Sequence, residues 1–277
     1  MQSYFVKRSE GFQTHYLEWK PETPSNKLPV ICIHGTFSNA RTYKWIGEEL
    51  SSGRNGSPRH VVAIDTRGCG ESGMPKNGFT LEHMSTDIDA VMKHLGINKA
   101  HFIAHSRGVS YVLKYASLHP NSVHGFVVGD FQAHHPKVKD EWAKKLTDSY
   151  ETYESWDHLY TILTAAKELS REEFEVRKDD FYIEKDGVIY KRFAKELPMC
   201  LLHGLEDYDL SPALDNIEGQ LLILKGAENG SLLNDDHLRE YQKHNPKIII
   251  VDQAGHDVLE PREQVKDALI KYFDQGL

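Results

Sequence analysis

A serine hydroxyl becomes a useful nucleophile only when a base is positioned to take its proton. In Ala100-His-Phe-Ile-Ala-His-Ser-Arg-Gly108, a short apolar stretch runs into x-His-x-Ser-x-Gly and then into a helix-forming segment from Val109. A strand, a sharp turn and a helix in that order would hold the Ser106 hydroxyl at the carboxyl edge of a sheet. Small residues two positions before (Ala104) and two after (Gly108) would let strand and helix approach closely. Ala104 stands where the G-x-S-x-G pattern carries its first glycine, and a serine here also suits a plain helix N-cap. The distinguishing requirement is a base late in the chain, after the last strand. Ile248-Ile-Ile-Val-Asp-Gln-Ala-Gly-His256 supplies one: a buried strand ends near Ala254-Gly255, and His256 follows, 150 residues after Ser106. Acyl transfer also needs donors for a developing oxyanion. The early loop Ile33-His34-Gly35-Thr36-Phe37 suits that task, with the amides of Thr36 and Arg107 as the expected pair and Phe37 as second choice. His34 is expected to orient this loop rather than to react.

The elements that must position these residues are legible as an alternation of short β-branched runs and longer amphipathic stretches, the pattern of a mostly parallel sheet covered on both faces. Strands are expected near 30–33, 60–64, 100–104, 123–128, 221–225 and 247–251. Helices are expected around 42–50, 81–95, 109–117, 237–243 and 263–273, with Pro261 suited to the first turn of the last. Two amino-terminal strands, 4–8 and 13–19, form an antiparallel entry. The alternation breaks between 131 and 215, where Trp142, Leu146, Leu159, Ile162, Leu163, Leu169 and Phe174 fall in charged, helix-like stretches. Residues 131–215 are therefore read as an inserted helical cap, and 1–130 with 216–277 as one core.

Composition narrows the classes. The 277 residues carry 33 Lys and Arg against 41 Asp and Glu, a net charge of -8, which disfavours a phosphate-backbone footprint and thus a nucleic-acid partner. Mean hydropathy is -0.54, and no apolar run approaches the roughly 18 residues that cross a bilayer, so no membrane partner is expected. The first ten residues lack a signal-peptide pattern, and Cys32, Cys69 and Cys200 are scattered, so a cytoplasmic location is expected. Sixteen histidines raise the question of a metal, but neither H-E-x-x-H nor C-x-x-C occurs, and the adjacent His134-His135 is a weak ligand pair; none is expected.

Taken in order, His34-Gly35, Asp65-Thr-Arg-Gly68-Cys-Gly70-Glu-Ser72, the Ser106 turn and Gly255-His256 resemble the α/β-hydrolase superfamily over nearly the whole chain. The resemblance implies an α/β-hydrolase fold and an acid partner for His256, usually on the loop after the strand ending near Lys225. This chain departs there, with Asn229 and Gly230 where an aspartate is expected. Asp130, at the end of the preceding core strand and 24 residues after Ser106, occupies a place some members use instead and is the assigned acid; Glu228 and Asp235 stand in reserve. A serine at position 106 disfavours epoxide hydrolases and haloalkane dehalogenases, which resemblance would give a carboxylate there. His105 before the serine is similar to cofactor-free dioxygenases of N-heteroaromatic rings, the alternative reading, although Arg107 and Thr36 depart from those enzymes. A small-molecule sensor with little turnover is a third reading on the same fold.

The expected activity is cleavage of a small carboxylic ester, lactone or thioester through an acyl-enzyme on Ser106, without a metal or organic cofactor. Residues 131–215 hold 12 of the 28 aromatic residues and a net charge of -7, leaving -1 for the rest of the chain. An apolar or aromatic substrate is expected, with Phe37, His105, Trp142, Trp156 and Tyr160 as candidate contacts.

Overall fold

The computed structural model describes residues 1–166 and 169–275, so Lys167 and Glu168 of the expected insertion and Gly276 and Leu277 of the core lie outside the described residues. The chain enters as an antiparallel pair, β1 (Gln2–Lys7) and β2 (Gln13–Trp19), and then alternates: β3 (Val30–Ile33), α1 (Lys44–Ser52), β4 (Val61–Ile64), α2 (Leu81–His94), β5 (Ala100–His105), α3 (Gly108–Leu118) and β6 (Val123–Gly129). Residues 131–215 then form β7 (His134–His135), α4 (Asp140–Asp148), α5 (Trp156–Ala166), α6 (Arg171–Phe181), β8 (Tyr182–Lys185), β9 (Val188–Lys191), α7 (Leu197–Gly204) and β10 (Tyr208–Asp209). The chain closes with β11 (Leu221–Gly226), α8 (Asp235–Gln242), β12 (Lys247–Val251) and α9 (Glu263–Gln275). Pro261 lies two residues ahead of α9 rather than within its first turn.

Eight strands make one sheet in the order β1-β2-β4-β3-β5-β6-β11-β12. β2 runs antiparallel to β1 and β4, and the other pairs are parallel. The central strands are apolar on both sides because both faces are covered. Ile31, Ile33, Phe102, Ala104, Phe126 and Val128 pack toward α2, α3 and α8, while Val30, Cys32, Ile103, Val127, Leu222 and Leu224 pack toward α1 and α9. All carboxyl ends of the parallel strands thus meet at one edge, with the loops that leave them.

The Asp65-Thr-Arg-Gly motif braces that edge. Buried Asp65 accepts the amides of Ala40 (2.6 Å) and Glu71 (2.9 Å) and pairs with His15 Nδ1 at 2.6 Å. Arg67 grips Asp87 on α2 with Nε (2.8 Å) and Nη2 (2.7 Å), a bidentate fit.

Residues 131–215 lie against the same edge. The Asn39 side chain donates to Asp180 O (2.6 Å), the Gly70 amide to Arg192 O (2.7 Å) and the Ala194 amide to Gly68 O (2.8 Å). Short β7 and β10 pair where the chain leaves and re-enters the sheet. The expected all-helical character gives way to a hairpin, β8 to β9. Its turn, Asp186-Gly187, has positive φ at both positions (51° and 75°), the primed-turn chemistry that Asp-Gly favours. Among the described residues no helix is long and apolar enough to cross a membrane.

Candidate active site

β5 ends at His105 and α3 begins at Gly108, leaving Ser106 at the turn with φ of 53°. A non-glycine residue in the left-handed region costs on the order of 1 kcal/mol and persists only where surrounding contacts impose it. Here the Ser106 amide donates to Gly129 O (2.9 Å), and its carbonyl accepts from the Val109 amide (2.9 Å). Gly108 is required by proximity, since a Cβ there would lie 2.5 Å from Ile33 O. Gly35 is required likewise, because its Cβ would lie 2.7 Å from the Cβ of Ser106. Phe37 and Asp130 share the left-handed conformation, so with Ser106 three of the seven non-glycine residues with positive φ among the described residues are at this edge.

Asp130 is fully buried and accepts four hydrogen bonds: His256 Nδ1 (2.9 Å), Ser231 Oγ (2.6 Å) and the amides of Leu232 (2.8 Å) and Gly226 (3.3 Å). Burial works against its charge, but these donors, His256 first, outweigh burial and hold the carboxyl below its ordinary range. An acceptor-only carboxylate makes His256 Nδ1 the protonated nitrogen and leaves Nε2 as the basic one. The His256 side chain keeps 28% exposure, so that nitrogen is not sealed in the core. Among the hydrogen bonds of the described residues none joins Ser106 Oγ to His256 Nε2; such catalytic contacts commonly tighten only with substrate present. Glu228 and Asp235 do not reach His256. The Glu228 amide donates to Ala254 O, and Asp235 opens α8.

Among the described residues the amides of Thr36 and Arg107 have no hydrogen-bond acceptor. The Phe37 amide is turned to the Cys69 sulfur, whose thiol burial nonetheless pushes up to about 12. Thr36 and Arg107 are thus the free pair. His34 serves the loop, as expected: its Nδ1 donates to Gly35 O (2.7 Å), and its Nε2 accepts the Thr66 amide (3.0 Å).

The candidate contacts divide. Phe37 lies tilted against Trp142 (5.3 Å between ring centroids) and Phe193 (4.6 Å), and Tyr150 meets Phe193 edge-on (5.5 Å). Phe37 also lines a small pocket with Thr36, Cys69, Tyr111, Leu197 and Leu201 among others. His105 is turned elsewhere. Its Nε2 donates to His256 O (2.8 Å) and its ring lies 4.6 Å from the His256 ring, so it supports the base's loop. Burial, then the neighbouring His256, holds His105 below the usual imidazole range. Trp156 and Tyr160 are not brought to the serine. They pack with Tyr153, Leu159, Phe174 and Ile189 in a small separate core, where Trp156 Nε1 donates to Glu184 and Tyr160 lies 5.2 Å from Phe174. Dense aromatics within 131–215 serve that core because the hairpin and α5–α6 must bury their own faces.

Ser231, Tyr111 and Phe193 escaped sequence reasoning. Ser231 had a signal: it lies on the loop where an acid is expected, and that loop answers the missing carboxylate by donating to Asp130 instead. Among the described residues no group of three or more His, Cys, Asp or Glu is arranged to hold a metal ion; His134 is committed to Asp207 and His135 to Arg107.

Residues 29–263 match a family model described as alpha/beta hydrolase fold. Over 248 residues the chain is 22% identical to 2-(acetamidomethylene)succinate hydrolase of Mesorhizobium japonicum, spanning 88% of this chain and 87% of that protein. It is 30% identical over 117 residues to a bifunctional esterase/perhydrolase of Acinetobacter calcoaceticus, a match spanning 42% of this chain and only 40% of that relative's length. An esterase structure from Exiguobacterium antarcticum superposes with a TM-score of 0.72 at 18% identity, covering 97% of this chain and 98% of the other.

Proposed function

The chain belongs to the alpha/beta hydrolase fold family and is an enzyme of that family, and on that premise we propose that it is a serine hydrolase cleaving a small carboxylic ester, lactone or thioester through an acyl-enzyme on Ser106. The observation that carries this reading is the 2.9 Å bond from His256 Nδ1 to buried Asp130, which leaves Nε2 as the acceptor nitrogen at the sheet edge that also carries the strained Ser106. In this mechanism Nε2 takes the Ser106 proton as Oγ attacks the carbonyl carbon, and the amides of Thr36 and Arg107 receive the oxyanion. Collapse expels the alcohol or thiol, which takes the proton from His256 and leaves the acyl group on Oγ. Water, deprotonated by the same nitrogen, then releases the acid and restores the serine. We take residues 131–215 as the cap over this edge, and the Phe37, Trp142 and Phe193 group supports an apolar or aromatic portion in the substrate.

Labelling with a fluorophosphonate probe followed by peptide mapping tests the reading. Modification at Ser106 is the expected result; folded protein modified elsewhere or not at all overturns the acyl-enzyme. Oxygen uptake with a hydroxyquinolone-type compound, without such labelling, would transfer the same residues to proton abstraction.

A further inference from the structure

Arg107 directly follows the nucleophile, and its side chain is incompletely answered. Among the described residues its hydrogen bonds run only from Nη1, to His135 Nε2 (3.0 Å) and Pro136 O (2.8 Å), both neutral acceptors. Burial, then Arg107 itself, pushes His135 down to about 3, so it stays a neutral acceptor at neutral pH. Arg107 enters no ion pair within 4.0 Å among the described residues, and its Nε and Nη2 make no hydrogen bond there.

Most of the other sunken cations are treated differently. Arg8 and Arg67 share Asp87 (2.6 and 2.7 Å), Lys114 meets Glu82 (2.6 Å) and Arg192 approaches Glu71 (3.6 Å). Arg59 is the exception: among the described residues it donates only to the carbonyls of Leu28 (3.0 Å) and Phe273 and enters no ion pair within 4.0 Å, although the charge of Asp274 acts on it. An uncompensated guanidinium taken partly out of water is costly, and its planar fork matches a carboxylate. Two further polar groups near the serine turn line the small pocket beside Phe37. The Thr36 hydroxyl is buried without a partner, and Tyr111, one helical turn after Arg107 and electrostatically coupled to it, lines the same space.

We infer that Arg107 is a specificity-determining residue that binds a second, anionic group of the substrate, so that the preferred ester carries a free carboxylate on its acyl portion. The inference rests on Ser106 being the acyl-enzyme nucleophile. The Arg107 amide faces the oxyanion and its guanidinium faces the carboxylate, so the two recognised groups are no further apart than an arginine side chain reaches. That is roughly 6 Å, the span of a three- or four-carbon chain. The acidity of residues 131–215 does not supply this recognition, and three of the bases there meet acids of the same segment: Lys144 with Asp140, Arg171 with Asp157 and Lys137 with Glu206.

The test compares kcat/KM for mono(4-nitrophenyl) adipate with that for 4-nitrophenyl hexanoate, which has the same acyl chain length and no carboxylate. The wild type is expected to favour the anionic ester at least tenfold. Arg107→Met is expected to bring the ratio to about one or below, with Arg107→Lys between. A wild-type ratio near one overturns the inference. So does an Arg107→Met protein that loses both activities in proportion, since a mere strut to His135 and Pro136 would slow both esters alike. If neither ester is cleaved, the fluorophosphonate labelling decides the hydrolase reading, and titration calorimetry with adipate decides the anion site by itself. Saturable wild-type binding that Arg107→Met abolishes supports the site; absence of wild-type binding overturns it.

Discussion

Two buried aspartates follow strands β4 and β6 at the same sheet edge, with β3 and β5 between them, and each holds a histidine by Nδ1. Asp130 holds His256 at 2.9 Å and Asp65 holds His15 at 2.6 Å; each also accepts two backbone amides. The Asp65 pair even continues to a serine, with Ser3 Oγ 2.8 Å from His15 Nε2. As a drawn chain of Ser, His and Asp it is more complete than the one at Ser106. Yet Ser3 sits in the extended edge strand β1, without a strained turn or a helix start behind it, and the His15 ring is only 1% exposed with both nitrogens engaged. Reactivity therefore depends less on the three residue types than on an uncommitted imidazole nitrogen, a forced serine conformation and free amides facing the same point. The Asp65 set is a brace: through the Ala40 and Glu71 amides it holds the loop that carries Thr36.

The sharpest way to break this comparison is at the two serines. Ser106→Ala is expected to lower kcat on the order of 10⁵-fold, whereas Ser3→Ala leaves turnover within about twofold; steady-state assays of both variants check this, and a large loss in Ser3→Ala would reverse the assignment. The aspartates come next. Asp130→Asn is expected to lower kcat on the order of 10⁴-fold by releasing the histidine tautomer. Asp65→Asn should show its main effect in denaturant unfolding, about 3 kcal/mol, because it opens a buried bonded pair.

Acid titration separates the pairs from the opposite end of the sheet. Burial opposes the charge on both aspartates, but their hydrogen bonds, led by His256 and His15, keep both carboxyls below the ordinary 3.8. The unfolded chain then takes up those protons first, so their stabilisation is complete above that value and is lost as pH falls through the lower folded value. His101, on β5 away from the serine, is pushed from 6.5 to about 3 by burial, with Arg59 and His124 adding to it. Its contribution is full above 6.5 and declines as pH falls toward 3, at up to about 1.4 kcal/mol per pH unit. His101→Phe should therefore lose less stability than the wild type between pH 7 and 5, as read from urea midpoints; an unchanged slope would contradict a neutral buried His101. The smallest effects belong to the tryptophans. Trp142→Ala is expected to raise KM for an aromatic ester by roughly threefold, while Trp156→Ala leaves KM alone and lowers unfolding stability by about 2 kcal/mol.

Much of this was readable before any folding. Alternation of apolar runs placed the core strands to within a residue or two, and the Ser106 turn and Gly255-His256 stood out because each joins local turn chemistry to a strand end. Asp186-Gly187 was equally readable as a hairpin turn, but the charge around it hid the alternation of Tyr182, Ile183, Val188 and Ile189. Trp156 and Trp142 could not be told apart in sequence. Both are aromatics in helical stretches, and only packing sends one to Phe37 and the other to Phe174.

By itself the sequence determined the fold class, the strand order of motifs and the candidate Ser106 and His256, since periodicity and turn preference act between residues close along the chain. Tertiary structure decided which carboxylate meets His256, that Ser231 replaces a missing acid by supporting another, that His105 faces the base, and that Arg107 is left without a counter-charge. Those outcomes depend on groups as much as 126 residues apart being driven together by burial of a common core. Once there, hydrogen bonding and desolvation select among similar side chains according to distances that spacing along the chain does not contain.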